Sequence, residues 1–66
     1  MTAMVNGERR EVPSGMTLAE LLRELRLEPN GIAVAVNERV VRSATFEQHD
    51  LTDGDVVEII RAVAGG

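Results

Sequence analysis

Residues 17–36 read TLAELLRELRLEPNGIAVAV, an amphipathic helix pattern followed at once by an apolar strand pattern. Thr17 and Glu20 form a T-x-x-E capping box, in which each side chain accepts a hydrogen bond from a backbone N–H group at the helix start. Leucines recur at the i, i+3, i+4 and i+7 positions of a helical face: Leu18, Leu21, Leu22 and Leu25. We therefore predict a helix that begins at Leu18, packs its leucine face on a sheet, and ends before Pro29-Asn30-Gly31.

The strand after this helix, residues 32–36, is apolar throughout and rich in β-branched residues. Such a run is typical of a central strand that is covered on both faces. Asn37-Glu38 then predicts a turn into a short strand at Val40-Val41.

The segment before the helix predicts a β-hairpin. Residues 2–6 and 9–13 are short β-prone runs on either side of Asn6-Gly7, and both residues of an Asn-Gly pair tolerate positive φ. Pro13-Ser14-Gly15 ends the second strand, because proline cannot donate to a β-ladder.

The C-terminal third predicts a loop, a turn and a last strand. Residues 42–50 have no clean period and indicate a loop with one helical turn, held by Phe46, the only aromatic residue. Residues 51–55 predict a turn, and residues 56–62 predict a strand that continues into Ala64-Gly65-Gly66.

The predicted order of elements is strand, strand, helix, strand, short strand, strand, which is a β-grasp order. We therefore predict an α+β fold of the ubiquitin-like β-grasp class, ββαββ, with a mixed sheet of four to five strands crossed by one helix. The domain is predicted to cover residues 1–62, and residues 63–66 are predicted to form an exposed flexible tail that ends in Gly-Gly.

Composition excludes several classes of function. The 66 residues include no cysteine and one histidine, His49, which argues against thiolate zinc, iron–sulfur and cysteine-nucleophile chemistry. The net charge of −4 repels phosphate backbones, so we expect no nucleic-acid partner. No apolar run approaches the roughly 20 residues that span a membrane, and we expect a cytoplasmic protein without a membrane anchor.

Asp53 and Asp55 flank Gly54, and such a pair could suggest a cation site. Two carboxylates are too few for calcium, which takes about six or more oxygen ligands, so we interpret both as residues that shape a turn. His49 has no serine, cysteine or second histidine that would argue for catalysis, and we interpret it as a surface residue.

Several segments, taken in this order, resemble the sulfur carrier family of the thiamine pathway, ThiS. They are Val5-Asn6-Gly7-Glu8, Gly15-Met16-Thr17-Leu18 with Leu21-Leu22, Val34-Ala35-Val36-Asn37, Asp53-Gly54-Asp55-Val56-Val57-Glu58-Ile59 and Ala62-Val63-Ala64-Gly65-Gly66. The chain departs from the family at two places, with Arg42-Ser43 where Pro-Arg is usual and Phe46 near the position of a tryptophan.

The resemblance implies a carrier that holds sulfur as a C-terminal thiocarboxylate on Gly66. A ubiquitin-activating-type (ThiF-like) adenylyltransferase would couple the Gly66 carboxylate to AMP, using ATP and magnesium, and a persulfide donor would replace AMP with sulfur. A thiazole synthase (ThiG-like) would then receive the sulfur for thiamine. The chain would be a cosubstrate and not an enzyme, with no catalytic residue, no metal site and no bound cofactor.

The chemistry of a C-terminal carboxylate supports this interpretation without the family. A carboxylate resists nucleophilic attack because of its charge and resonance, whereas its mixed anhydride with AMP has a good leaving group. The activation must therefore occur in a partner enzyme. Gly65 and Gly66 give the smallest cross-section for threading a narrow channel, and we expect Val63 and Ala64 to enter with them.

A second candidate site lies on the sheet. Strand alternation puts Met4, Val56 and Ile60 on the face opposite the one that packs on the helix. Exposed apolar residues on a sheet mark either a partner surface or ordinary scattered hydrophobes. Arg61, beside the tail, is either a residue that steers an acidic partner or a solvated one.

Three other functions remain open at this point. A carrier of the same chemistry could supply molybdopterin or cysteine synthesis instead of thiamine. A ubiquitin-like modifier could attach Gly66 to lysines of target proteins, although the chain has no lysine of its own and cannot form lysine-linked homopolymers. A pure binding module would have an inert tail, and its function would survive removal of Gly65 and Gly66.

Overall fold

The computed structural model describes residues 1–61, and residues 62–66 lie outside the described part of the chain. The described strands and α-helix are, in order, β1 (Thr2–Val5), β2 (Glu8–Glu11), α1 (Leu18–Glu24), β3 (Ile32–Val36), β4 (Arg39–Val41) and β5 (Val56–Arg61). A 3-10 helix at Ser43–Gln48 connects β4 to β5. This confirms the predicted order of elements, while the predicted last residue of the final strand, Ala62, lies outside the described range.

The five described strands form one mixed sheet in the order β2-β1-β5-β3-β4. Each hairpin pairs its own two strands antiparallel, and β5 inserts between the hairpins, parallel to β1 and antiparallel to β3. The predicted β-grasp class with a mixed sheet is confirmed. Its central strand is β5, the strand that leads into the C-terminal segment.

Local sequence signals set the turn of the first hairpin and the start of the helix. Asn6 and Gly7 have φ values of 50° and 83°, the positive-φ pair of a two-residue hairpin turn that follows the strand twist. At the helix start the predicted capping box is present: the Thr17 backbone N–H donates to Glu20 Oε1 (2.9 Å), and the Glu20 backbone N–H donates to Thr17 Oγ1 (3.2 Å). The helix begins at Leu18, as predicted.

The core lies between α1 and one face of the sheet. Its buried hydrophobic residues come from the strands, the helix and the two long connections: Ala3, Val5, Val12, Met16, Leu18, Leu21, Leu22, Val34, Val36, Phe46, Leu51, Val57 and Ile59. Phe46 holds the 3-10 helix in the core, as predicted. Leu25, the last leucine of the predicted stripe, is the C-cap residue and is only half-buried.

One prediction about the sheet is wrong. β3 lies inside the sheet, between β5 and β4, but only one of its faces is covered: Val34 and Val36 are buried, and Ala33 is exposed. The strand nevertheless contains only apolar residues, because alanine occupies the uncovered positions and a methyl group exposes little apolar surface. The run therefore alternates in size rather than in polarity.

In residues 1–61, no helix has the length and hydropathy of a membrane-crossing segment.

Candidate functional site

The face of the sheet that points away from α1 is uncovered in the described chain, and we call it the open face. Residues that alternate with the core-facing positions of β1, β5, β3 and β4 form its apolar part: Met4, Val56, Ile60, Ala33, Ala35 and Val40. Val40, Ile60 and Val56 are the large hydrophobics most exposed to solvent, at 77%, 61% and 47%. Strands β5 and β4, which lie on either side of β3, thus present bulky apolar side chains to water on one surface.

Cross-strand pairing brings these side chains together. Met4 on β1 is opposite Val56 on β5, and residues directly opposite each other have Cβ atoms about 4.5–5.5 Å apart. Ile60 is opposite Ala33 on β3, and Val40 on β4 is opposite Ala35. Met4 and Val56 therefore adjoin, and the alanines of β3 connect Ile60 and Val40 to the sheet between β5 and β4, so that the open face extends from β1 to β4.

The structure places Met4, Val56 and Ile60 on the open face, where strand alternation predicted them. Along β5, Arg61 alternates in step with the buried residues Val57 and Ile59, so it lies on the side of the sheet that carries α1. It is exposed beyond the end of α1 and is paired with Ile32. The geometry therefore separates Arg61 from the three apolar residues with which it was grouped. A role for any of the four in partner binding stays a prediction.

The sequence argument missed Val40 as a member of the open face. Its exposure follows from the register of the second hairpin, in which Asn37 and Glu38 form a two-residue turn with φ values of 52° and 70°. That turn sets Val36 opposite Arg39 and hence Ala35 opposite Val40. The Asn37-Glu38 turn signal, followed to its consequence for register, could have located Val40.

Both hairpin turns bind β5 through asparagine side chains. Asn6 Oδ1 accepts a hydrogen bond from the Ile59 backbone N–H (2.7 Å), and Asn37 Oδ1 accepts one from the Val56 backbone N–H (2.9 Å). The backbone N–H of Asn6 also donates to the Val57 carbonyl (2.9 Å), and that of Asn37 to the Val56 carbonyl (2.8 Å). The register of β5, and with it the point where the C-terminal segment begins, is fixed from both sides.

Asp55, immediately before β5, is a buried carboxylate. It accepts hydrogen bonds from the Thr52 backbone N–H (2.8 Å), the Thr52 hydroxyl (2.8 Å) and Asn37 Nδ2 (3.0 Å). Burial acts to raise the pKa of Asp55, but these hydrogen bonds, with a smaller contribution from the charge of His49, outweigh burial and lower it. The ionised carboxylate thus joins the second hairpin to the start of β5.

Asp53 also has a structural contact, because its Oδ1 accepts a hydrogen bond from the Thr2 backbone N–H (2.8 Å). The two aspartates therefore hold the turn to β1 and to the second hairpin, which agrees with their interpretation as turn-shaping residues. Residues 1–61 contain no group of three or more acidic or histidine side chains placed to hold a metal ion.

The predicted sulfur-carrying residue, Gly66, and the predicted threading residues Gly65, Ala64 and Val63 lie outside the described residues. The structure gives the position from which they continue. That position is the end of β5, the central strand, where Arg61 is still paired with Ile32.

Comparison with known proteins gives one consistent result. The sequence matches the ThiS family over residues 3–66. It is 40% identical over 62 residues to the sulfur carrier protein ThiS of Thermus thermophilus, covering 94% of this chain and 95% of that protein. The crystal structure of the thiamine biosynthesis protein ThiS from Geobacter metallireducens superposes with a TM-score of 0.84 at 29% identity, covering 100% of both chains.

A relative of a different kind is a much longer protein. The chain is 35% identical over all 66 residues to a protein of Paramagnetospirillum magneticum named thiazole synthase. It spans only 20% of the length of that protein. A segment similar to this chain is therefore part of a larger polypeptide that carries the thiazole synthase name.

Proposed function

Since this chain belongs to the ThiS family, we propose that it carries sulfur as a thiocarboxylate on Gly66 and delivers that sulfur to a thiazole synthase. The observation that carries the proposal is the family match, which runs to residue 66 and so includes the terminal Gly65-Gly66 pair. The thiamine-pathway names of the relatives favour thiazole synthesis over molybdopterin or cysteine synthesis as the use of the sulfur.

The proposed chemistry has two stages, both on a partner enzyme. The Gly66 carboxylate attacks the α-phosphorus of magnesium-bound ATP, pyrophosphate leaves, and an acyl adenylate forms. The terminal sulfur of a persulfide then attacks the Gly66 carbonyl carbon and AMP leaves, which gives an acyl disulfide. A thiol attacks the donor's sulfur in that bond, forms a disulfide with the donor, and releases the thiocarboxylate. The carrier supplies the acyl group and its partners supply the catalytic groups, so it acts as a cosubstrate.

The position of β5 limits how a partner can bind. Five residues follow Arg61, and five residues of fully extended chain span at most about 18 Å. An enzyme that acts on Gly66 must therefore bring its reacting groups within that distance of the end of β5. The open face includes Val56 and Ile60 of the same strand, which supports it as the surface that partner enzymes contact.

The thiazole synthase relative supports the identity of the client. Where a carrier-like segment and a thiazole synthase share one polypeptide, the segment acts at high effective concentration on the enzyme to which it is joined. We extend this association to the separate chain: its client is a thiazole synthase, and its activating partner is a ubiquitin-activating-type adenylyltransferase.

Intact-protein mass spectrometry tests the carrier chemistry. The chain is incubated with ATP, magnesium, the adenylyltransferase of the same organism, a persulfide donor and a thiol. The expected product is heavier by the difference between one sulfur and one oxygen, and omission of ATP should prevent its formation. Adding thiazole synthase with its other substrates should return the carrier to its original mass.

A matched variant lacks only Gly66. It should keep the melting temperature of the full chain, because the described core ends at Ile59, and it should gain no sulfur. A full-length chain that forms neither adenylate nor thiocarboxylate with an enzyme active on another carrier would refute the proposal. A chain that gains sulfur but is not consumed by thiazole synthase would refute only the client.

A further inference from the structure

Glu58 places a single carboxylate in the middle of the open face. It lies on β5 between Val56 and Ile60, and its partner across the sheet on β3 is Ala35. Val40 follows on β4, opposite Ala35. On the remaining side β1 ends at Val5, before the position that would be opposite Glu58. The exposed charge therefore has apolar neighbours along β5 and across β3 and β4, while the Asn6-Gly7 turn lies on its β1 side.

No ion pair within residues 1–61 involves Glu58, since the salt bridges described there join Met1 to Glu11 and Arg23 to Glu47. One basic side chain on the same face is that of Arg9 on β2, which is opposite Met4. Two strand spacings, about 10 Å, separate β2 from β5. Water is thus the main partner of the Glu58 carboxylate in the described domain.

A protein that covers the open face must remove this carboxylate from water. An unpaired buried charge is costly, whereas a cation placed against it compensates for the lost hydration. A wholly apolar surface of matching shape would therefore bind poorly, and a surface with a basic side chain at the right position would be selected. Arginine suits the position best, because its guanidinium group binds a carboxylate with two parallel hydrogen bonds and also packs on apolar neighbours.

We propose that the open face binds an apolar surface of thiazole synthase that presents one arginine or lysine to Glu58, and that this pair determines which partner is accepted. The inference rests on the proposed function, which supplies the occupant. Glu58 lies three residues before Arg61 on the strand that leads to Gly66. A contact centred on Glu58 therefore places the start of the C-terminal segment against the same enzyme.

Calorimetric titration of purified thiazole synthase from the same organism tests the pair. Glu58→Gln keeps the shape of the side chain and removes its charge, and it should raise Kd by roughly 30-fold or more, because a basic group of the partner is left buried without a counter-charge. Glu58→Arg should weaken binding further. Glu24→Gln is the matched control: it changes the net charge equally, at an exposed position of α1 on the other side of the molecule, and Kd should change less than twofold.

Glu58→Leu distinguishes pairing of Glu58 with a basic residue of the partner from a role of Glu58 in solubility alone. If Glu58 only keeps an apolar face soluble, replacing it by leucine should strengthen binding, and that result would overturn the proposal. Equal Kd values for Glu58→Gln and the unmodified chain would also overturn it. Failure of the unmodified chain to bind thiazole synthase would refute this inference and the proposed client together, while sulfur loading measured by mass spectrometry would still test the carrier chemistry separately.

Discussion

The two faces of the sheet are made from the same strands and similar residues but have different roles. On β5, Val57 and Ile59 are buried under α1, whereas Val56 and Ile60 point to solvent. Valine and isoleucine alone do not reveal which face the helix covers. The covered face contributes hydrophobic burial and so stabilises the fold, while the open face remains available for a partner. Substitutions at adjacent residues of one strand should therefore change either the stability of the domain or its binding to a partner. The four predictions below test this difference between the faces and the turns that position them.

The largest expected effect is on the covered face. Leu22 is among the largest fully buried side chains, and Leu22→Ala should lower the free energy of unfolding by about 2–5 kcal/mol. A total stability of roughly 5–15 kcal/mol is usual for a domain, so the variant should unfold at a much lower urea concentration. Glu24→Ala on the same helix is the control and should shift the midpoint little. Equal midpoints for the two variants would show that Leu22 is not a core residue.

A pair of neighbouring substitutions compares the two faces directly. Ile59→Thr introduces a hydroxyl group into the core and should cost about 2 kcal/mol or more. Ile60→Thr makes the same chemical change on the open face and should alter stability by less than about 0.5 kcal/mol. Denaturation measures the first effect. Ile60→Thr should instead reduce sulfur loading at limiting adenylyltransferase, and normal loading would remove Ile60 from the proposed partner surface.

Asp55 stabilises the turn that precedes β5. Asp55→Asn should lower the free energy of unfolding by about 1–3 kcal/mol at neutral pH. Since folding lowers the pKa of Asp55, its stabilisation is complete above the unfolded-state pKa of about 4 and is lost as the pH falls through the lower folded-state value. The free energy of unfolding of the Asp55→Asn variant should therefore fall less steeply than that of the unmodified chain as the pH is lowered. Asp53→Asn is the control and should reduce stability less, because Asp53 is exposed and accepts a single hydrogen bond. If the stability of Asp55→Asn and of the unmodified chain fell equally with decreasing pH, the role assigned to Asp55 would be contradicted.

The smallest effect concerns the turn that places Val40 on the open face. Glu38 has a φ of 70°, a conformation that costs a residue with a Cβ roughly 1 kcal/mol. Glu38→Gly relieves that strain but increases the entropy of the unfolded chain by a similar amount, so stability should change by less than about 0.5 kcal/mol. Gly7→Ala at the equivalent turn position, φ 83°, relieves nothing and should destabilise. A larger loss for Glu38→Gly than for Gly7→Ala would show that the second turn is not strained.

Most of the fold followed from local signals in the sequence. Thr17 with Glu20 located the helix start, and Asn6-Gly7 located the first hairpin, because each signal acts within a few residues. The coverage of β3 was predicted wrongly, since Ala33 counts as apolar in a pattern yet exposes too little surface to need a second layer. What lies above a strand depends on the whole molecule and not on the strand itself.

The candidate site was predictable only in part, for a related reason. Alternation along single strands located Met4, Val56 and Ile60, and it gives Glu58 the same face. The place of Val40 depends on the register that the Asn37-Glu38 turn sets between β3 and β4, and the neighbours of Glu58 depend on the pairing of β5 with the distant strand β3. Alternation along β5 by itself puts Arg61 on the side of Val57 and Ile59, away from the three residues with which it was grouped. Gly66 and its neighbours remain a prediction from sequence and family, since they lie beyond the described residues.

The two asparagines that hold β5 also bear on how the domain responds to force. Tension applied to the chain beyond Arg61 acts along the axis of β5, which is hydrogen-bonded to β1 on one side and to β3 on the other. Such tension loads these hydrogen bonds in shear, so that they share the load instead of breaking one after another from the end. Asn6 and Asn37 add side-chain hydrogen bonds to the same strand. If an enzyme draws the C-terminal segment into its active site as proposed, it pulls on a strand that is hydrogen-bonded on both sides.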